Sequence, residues 1–333
     1  MKAIIKNKII LKEIYSASAV ELIDNQLFII GDNSPFLFVL DLEGNVKNKV
    51  KIFDIENNSN ENININEKDN IVIIPKKEKP DFEASCVLNI HQKKYLFVVG
   101  SGSSEKRNLA VLIDLETFEV KKISLKNLYK LFAKFISLSI NAQNDALNIE
   151  GLCANHRAVY FFQRGNINGN NFIFSIFIDD MINYLFSEKQ TINIKKINKQ
   201  RVALPSIKGI FSGFSGACFA DNQGNNWQNT IQQILWTSSV ENTKNAIDDG
   251  SVLGSFLGTY NLHNQQIDSA IIENNTENNT ENNTSNNSEN SVFLGKVEGI
   301  CVVDWSNDLS PKHVIAVTDA DGGCSEMLFI EIF

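Results

Sequence analysis

The stretch that decides the fold is NIEGLC at residues 148–153, in which Glu150 is followed by a glycine and then by apolar residues. Related stretches are DFEASC at 81–86 and KVEGIC at 296–301, each with a glutamate before a small residue. Two more, YSASAVEL at 15–22 and GFSGACFA at 213–220, have a serine at that place. The chain thus contains five copies of one motif, and each copy begins a segment typical of a β-strand.

We call the acidic or hydroxyl residue of this motif the key position. It is occupied in chain order by Ser18, Glu83, Glu150, Ser215 and Glu298, and alanine or glycine always follows it. The first four recur at nearly equal intervals, and the fifth follows after a longer one. That longer interval contains a polar, low-complexity tract at 273–291, ENNTENNTENNTSNNSENS, without which it matches the others. Such regular recurrence of one motif indicates a repeat architecture.

Each repeat has the same predicted strand order. A short strand at the key position is followed by a turn and by strands of β-branched and aromatic residues, such as KYLFVVG and LAVLIDL in the second repeat. Repeated four-stranded units of this size predict an all-β fold, a five-bladed β-propeller. A sandwich or barrel does not explain the recurring key position. Helical insertions are predicted at about 125–138 and 179–187.

The two ends of the chain are predicted to meet in one blade. The last repeat has only three strands and ends at Phe333, and the N-terminal segment KNKIILKEI at 6–14 can supply the fourth. This closes the ring without a covalent bond and removes a free sheet edge. We expect residues 1–333 to form a single domain with two Asn-rich, disordered loop insertions, at 57–70 and 273–291.

Composition excludes several classes of partner. The formal net charge is -8 and the pI is about 5.2, which argues against nucleic acid. No apolar run approaches the length of a membrane helix, and the lysine-rich N-terminus reads as a strand rather than a signal peptide. We therefore expect a cytoplasmic protein without a membrane partner. Four of the five cysteines follow a key position by three residues, and we expect these thiols to pack between blades.

Two groups of polar residues should converge on one mouth of the central channel. The key residues begin the first strands, and the antiparallel second strands end at the same face. The strand-end residues are Asp32, Asn33, residues 101–105, Gln163, Arg164, Glu241, Asn242, Asp319 and Asp321. Three carboxylates around a narrow axis repel one another, and a bound cation removes that conflict. Oxygen ligands favour Ca²⁺ over Mg²⁺ and disfavour zinc.

Two simpler readings of the glutamates stay open. Each one could begin a solvated strand, because charged residues are mostly exposed. Alternatively, the channel could be acidic and filled with water without holding a metal. In the second case, Ca²⁺ and a chelator would give the same melting temperature.

The order Ser, Glu, Glu, Ser, Glu, with GFSG in the fourth repeat and KVEGI in the fifth, resembles the calcium-activated nucleotidases, or soluble apyrases. That resemblance implies a five-bladed propeller with calcium on its axis. It also implies that the calcium ligands are Ser18, Glu83, Glu150, Ser215 and Glu298. The stretch SSVENTKNAIDDGSVLGSF at 238–256 is similar to uncharacterised bacterial propellers near the esterase-like domain of phytase.

The nucleotidase resemblance also points to catalytic candidates. Asp32 in GDNS matches half of a paired-acid motif, and Arg164 in FFQRGN is what remains of a basic pair. Glu241 represents an acidic stretch of the fourth blade. Glu105 and Arg107, in GSGSSEKRN of the second blade, complete the candidate set.

Two functions are consistent with these residues. The first is a binding propeller with structural calcium, which takes a small ligand or a protein at its mouth. The second is a Ca²⁺-dependent hydrolase of a phosphorylated small molecule, in which Arg164 and Arg107 hold phosphate and Asp32 or Glu241 activates water. Ester hydrolysis by a Ser-His-Asp triad is disfavoured, because the chain has no G-x-S-x-G motif and its four histidines lie away from the predicted mouth. The sequence does not predict an oligomeric state.

Overall fold

The computed structural model describes residues 1–55, 64–66, 71–139, 146–165, 169–220, 232–242, 250–275, 291–305, 311–320 and 323–333. Most of the two Asn-rich tracts predicted to be loops, 57–70 and 273–291, lies outside these residues. Within the first tract, Asn64–Asn66 (β6) pairs with Ile71–Ile73 (β7). At the start of the second, Ile267–Asn274 is a strand, which is β21 below.

The chain is all-β apart from a few short helical segments, and its main sheets are built from four-stranded antiparallel units. Unit 1 contains β2 (Ala17–Ile23), β3 (Gln26–Gly31), β4 (Phe36–Leu40) and β5 (Val46–Lys51). Unit 2 contains β8 (Phe82–Ile90), β9 (Lys93–Gly100), β10 (Leu109–Asp114) and β11 (Val120–Ser124). Unit 3 contains β12 (Ile149–Ala154), β13 (Ala158–Gln163), β14 (Asn171–Phe177) and β15 (Ile197–Val202).

Eight further strands form one sheet that divides into two more units. Unit 4 contains β18 (Gly213–Phe219), β19 (Gln233–Asn242), β20 (Ser251–Asn261) and β21 (Ile267–Asn274). Unit 5 contains β22 (Lys296–Asp304), β23 (Lys312–Asp319), β24 (Cys324–Ile332) and the N-terminal strand β1 (Ala3–Tyr15). β1 pairs antiparallel with β24. Its residues Ala3–Ile5 also pair in parallel with β21, which joins the outer edges of units 4 and 5.

Two helices lie where the sequence predicted helical insertions. α1 (Lys126–Ser139) connects units 2 and 3, and α2 (Ile178–Phe186) interrupts unit 3. Both bury apolar side chains in the core between those two units, and the Tyr129 hydroxyl donates to the Gly100 carbonyl at 2.7 Å. A short hairpin of β16 (Ser206–Ile207) and β17 (Ile210–Phe211) leads into unit 4. No helix among the described residues is long and apolar enough to span a membrane.

The buried apolar side chains of the described residues form five clusters, each between two successive units. One cluster lies between units 1 and 2, and the others lie between 2 and 3, 3 and 4, 4 and 5, and finally 5 and 1. The first strands β2, β8, β12, β18 and β22 contact one another in the same order. Repeated four-stranded units whose first strands face each other are the architecture of a β-propeller.

The cysteines that follow the key positions are buried in these clusters, as the sequence predicted. Cys86, Cys153, Cys218 and Cys301 each lie in a different cluster between two units. All are free thiols. Between units 1 and 2 the equivalent position is occupied by a glutamate, Glu21, which is also buried.

Candidate functional site

A β-bulge occurs at every key position. The pairing between first and second strands skips the key residue in units 1 to 4, and in unit 5 it skips the key residue and the glycine after it. A bulge adds an unpaired residue to a strand and turns its side chain out of the regular alternation. The five bulges therefore place Ser18, Glu83, Glu150, Ser215 and Glu298 at one end of the first strands. The recurring motif predicted that these residues begin the first strands, but it did not predict the bulges.

The space between the first strands is narrow. Glu83, Glu150 and Ser18 line a cavity of about 10 Å³, together with Glu21 and Ser85 farther along the strands. This volume is enough for about one water molecule or one small ion. The small residues after the key positions, including Gly151, Gly216 and Gly299, complete the wall. An ion in this space would meet carboxylate and hydroxyl oxygens.

The two key serines are already hydrogen-bonded to backbone. The Ser18 hydroxyl donates to the Ser16 carbonyl at 3.2 Å, and the Ser215 hydroxyl donates to the Val297 carbonyl at 2.5 Å. Both serines are buried. Their protons point at carbonyl groups, so their oxygen lone pairs stay available as acceptors or metal ligands.

Glu298 is the most deeply buried of the key glutamates. Its side chain is 1% exposed, and neither carboxylate oxygen accepts a hydrogen bond from the described residues. Burial raises the pKa of Glu298 to about 8, although the Lys296 ammonium at 2.9 Å from Oε1 lowers it. The Lys296 ammonium is thus the single positive charge in contact with this buried carboxylate among the described residues.

Burial also disfavours the ionised form of the other two key glutamates. Removal from water raises the pKa of Glu83 well above its usual range, and the charges of Asp81, Glu150 and Asp32 raise it further. Burial also raises the pKa of Glu150, even though its Oε1 accepts a hydrogen bond from Asn148 Nδ2 at 2.6 Å. Three carboxylates whose pKa values are all raised form a site that favours either protons or a cation.

A first ion-pair cluster connects units 1 and 2 next to the key residue Glu83. The Lys79 ammonium contacts Asp32 and lies 2.9 Å from Asp81 Oδ1. Arg107 Nη1 lies 2.7 Å from the other Asp81 oxygen, and the Ser101 hydroxyl donates to that oxygen at 2.6 Å. Burial raises the pKa of Asp32 to about 6 despite Lys79. One carboxylate oxygen from each of Asp32, Asp81 and Glu83 lies within 4.8 Å of the others.

A second ion-pair cluster spans units 3, 4 and 5. Arg164 Nη2 lies 2.7 Å from Glu241 Oε1, and Arg164 Nη1 lies 3.9 Å from Glu150 Oε2. Lys296 Nζ lies 3.6 Å from Glu241, 2.9 Å from Glu298 and 4.0 Å from Asp319. Burial opposes ionisation of Glu241, but Arg164 and Lys296 outweigh it and hold the pKa of Glu241 below its usual value.

The structure brings together most of the candidates from the sequence, with one exception. Asp32, Arg107, Arg164 and Glu241 all belong to the two ion-pair clusters. Glu105 does not: its side chain is 77% exposed and pairs with Lys126 at the start of α1. Of the other strand-end residues, Asp319 joins the second cluster. Asp321 lies outside the described residues.

Sequence reasoning missed three charged residues of the mouth. Lys79, Asp81 and Lys296 all precede a first strand or begin it. The signal was present in the letters, because KPDFE and KVEGI place a lysine four and two residues before a key glutamate. Among the described residues, both clusters and the key glutamates together contain seven carboxyl groups and four basic groups, an excess of three acidic groups. The acids are Asp32, Asp81, Glu83, Glu150, Glu241, Glu298 and Asp319, and the bases are Lys79, Arg107, Arg164 and Lys296.

Residues 13–332 match the model of a protein family of unknown function, DUF6929. The chain belongs to this family. No curated protein matches the sequence.

Solved structures resemble the DUF6929 chain only distantly. Glutaminyl cyclase from Myxococcus xanthus has 8% identity and a TM-score of 0.48, with 99% of this chain and 97% of that one covered. The α-L-arabinofuranosidase PaAbf62A from Podospora anserina has 10% identity and a TM-score of 0.46, covering 96% and 91%. Arabinanase Arb43A from Bacillus subtilis has 10% identity and a TM-score of 0.43, covering 96% and 94%.

Proposed function

We propose that this chain is a five-bladed β-propeller that holds a structural Ca²⁺ on its axis and binds a small ligand at its acidic mouth. In this proposal units 1 to 5 are the blades. The pairing of β21 with β1 is a seam between the outer edges of blades 4 and 5. The five apolar clusters support this reading, because each fills one boundary between neighbouring blades and the last returns from unit 5 to unit 1.

The observation that carries the calcium site is the state of Glu298. Its carboxylate is 1% exposed, and its one side-chain partner among the described residues is the Lys296 ammonium, a single charge at 2.9 Å. The charge of Glu150 raises the pKa of Glu298 further, and the pKa values of Glu150 and Glu83 are also raised. A divalent cation between these groups would restore the charge balance that water supplies elsewhere. Ca²⁺ fits this donor set best, since it accepts several oxygen ligands in flexible arrangements. The Ser18 and Ser215 hydroxyl oxygens complete the set.

A structural role follows from where the ligands come from. Each proposed ligand begins the first strand of a different blade, so one ion would hold all five blades at the axis. Without the ion, the carboxylates must be protonated or must repel one another. Calcium is therefore expected to stabilise the folded protein rather than only to occupy a surface site.

The mouth favours binding over phosphate hydrolysis. Arg164 and Arg107, the candidates for holding phosphate, already face Glu241 and Asp81 at 2.7 Å. An anionic ligand would have to compete with these carboxylates for the two arginines, in a mouth where acidic groups outnumber basic ones. A small cationic or neutral polar ligand fits the mouth better. We also propose that the protein is cytoplasmic, in agreement with its five free thiols.

Calcium is expected to raise the melting temperature of the wild-type protein by about 4 °C at a concentration about 100 times the dissociation constant. Mg²⁺ at equal concentration should give a smaller shift, and a chelator should reverse the effect of Ca²⁺. The double variant Glu83→Gln, Glu150→Gln should lose the calcium shift. The measurement is thermal unfolding followed by circular dichroism.

A matched control removes two exposed acids instead, in the double variant Glu43→Gln, Glu116→Gln, which should keep the full calcium shift. If the key-position variant responds to Ca²⁺ as the wild type does, the axial site is wrong. Phosphate release from nucleotides, phytate and sugar phosphates, measured with Ca²⁺ and with chelator, tests the other function. Turnover of any of them would replace the binding proposal with a hydrolase.

A further inference from the structure

Lys296 has a special position among the charged residues of the mouth. It begins β22, two residues before Glu298, and its side chain is only 14% exposed. Its ammonium lies 2.9 Å from Glu298, 3.6 Å from Glu241 and 4.0 Å from Asp319. One cation from the chain itself therefore lies among three carboxylates.

The same arrangement occurs at the other cluster, with one difference. Lys79 also lies between two carboxylates, but both of them, Asp32 and Asp81, are outside the key positions. Of the two lysines, Lys296 is the one whose ammonium lies within 4 Å of a key glutamate. Its contact is with Glu298, and this ammonium is the one side-chain partner of the Glu298 carboxylate among the described residues.

We propose that Lys296 is an internal counter-ion that competes with the axial cation for the Glu298 carboxylate. The inference rests on the proposed calcium site and adds its regulation. Two positive charges a few ångströms apart in a poorly solvated channel repel strongly. The Lys296 ammonium and the metal ion therefore cannot both lie next to the Glu298 carboxylate. Cation binding then requires the Lys296 ammonium to move away from Glu298. The free energy of that movement weakens the observed affinity.

The long side chain of Lys296 is suited to this movement. Its four methylene groups allow the ammonium to swing toward solvent while the backbone of β22 stays in place. The carboxylates of Glu241 and Asp319 lie within 4 Å of the ammonium and can pair with it after it leaves Glu298. An arginine would have served less well, because its planar fork holds a carboxylate in fixed geometry.

Lys296→Met is expected to bind Ca²⁺ at least tenfold more tightly than the wild type, as measured by isothermal titration calorimetry. Methionine keeps the apolar stem and removes the charge. Lys106→Met is the matched control, since that lysine is 61% exposed and its ammonium lies 2.9 Å from Glu78, away from the axis. The control should change the calcium affinity by less than threefold.

A second measurement uses the wild-type protein, so it does not depend on how well the variant folds. Lysine side chains are modified with an amine-reactive reagent and quantified by mass spectrometry, with Ca²⁺ and with chelator. Calcium should increase the modification rate of Lys296 several-fold, because its ammonium leaves Glu298. The rate at Lys106 should not change.

The outcomes separate the two proposals. If the wild type binds Ca²⁺ but neither the Lys296 modification rate nor the affinity of Lys296→Met changes, Lys296 is not a competitor, while the calcium site stands. If only Lys296→Met binds Ca²⁺, the competition is supported, and the proposal that the wild type holds structural calcium is wrong. If neither protein binds Ca²⁺, the site and the competition are both wrong.

Discussion

Replacing Glu21 by glutamine is expected to stabilise the protein by about 3 to 5 kcal/mol above pH 8 and to change its stability little near pH 4.5. Glu21 is buried between units 1 and 2, where the other four units place a cysteine. Its one side-chain hydrogen bond among the described residues comes from the Ser85 hydroxyl at 3.4 Å. Burial raises the pKa of Glu21 from 4.5 to about 8.

The direction of the pH effect follows from proton binding in the two states. Between pH 4.5 and 8, the folded protein keeps the Glu21 proton, whereas the unfolded chain releases it. The free energy of unfolding therefore falls as pH rises through this window, and the loss is complete above pH 8. Each pKa unit corresponds to about 1.36 kcal/mol. Glutamine has nearly the same shape, can accept the Ser85 hydrogen bond and has no proton to lose.

Urea unfolding of both proteins at several pH values between 4.5 and 9 tests this prediction. The quantity to compare is the difference in the free energy of unfolding between the variant and the wild type. The other carboxyl groups with raised pKa values titrate equally in both proteins, so their contributions cancel. Glu188→Gln serves as control, since Glu188 is exposed and its replacement should give a difference that is flat with pH. A flat difference for Glu21→Gln as well would mean that Glu21 is already ionised in the folded state.

The motif that occurs five times in the sequence was enough to predict an all-β fold of repeated four-stranded units. Alternating apolar residues and turns predicted the strands, and the regular recurrence of the key position predicted repeated four-stranded units. The two helices and the packing of four cysteines between units were also predicted and are confirmed. These features depend on local pattern and repetition, which a sequence shows directly. The pairing of β21 with β1 depends on how two distant edges meet, and no local pattern encodes it.

The charge balance of the mouth was harder to predict. The key glutamates and three of the strand-end acids, Asp32, Glu241 and Asp319, could be placed from strand direction alone. The sequence did not predict the positions of Lys79, Asp81 and Lys296. These residues precede a first strand or begin it, and the strand pattern does not fix the direction of a side chain at the end of a strand. Glu105 was predicted to lie at the mouth and does not. It belongs to a short 3₁₀ turn, Glu105–Arg107, in which Glu105 pairs with Lys126 and Arg107 pairs with Asp81. Loop geometry decided each of these outcomes.

Gly216→Ala is expected to destabilise the protein by about 3 kcal/mol or more, the largest loss in a graded series of three glycines. All three follow a key residue, where units 1 and 2 have alanine. A Cβ at Gly216 would overlap the Glu298 carbonyl oxygen and lie 2.7 Å from Thr237 Oγ1. A Cβ at Gly299 would lie 2.6 Å from the Ala19 Cα and from the Val20 nitrogen. Backbone atoms of a neighbouring first strand cannot move aside without separating two units.

The third glycine should behave differently, and this difference makes the series informative. A Cβ at Gly151 would lie 3.1 Å from Phe162 Cβ and 3.2 Å from the nearest backbone atom, so Gly151→Ala should cost only about 1 kcal/mol. Gly323→Ala is the control, because its nearest neighbours would be 3.6 Å away. Chemical denaturation should rank the losses as Gly216, Gly299, Gly151 and Gly323. Equal losses at the first three positions would mean that the motif requires small residues for strand conformation, and that the first strands are not packed backbone to backbone around the axis.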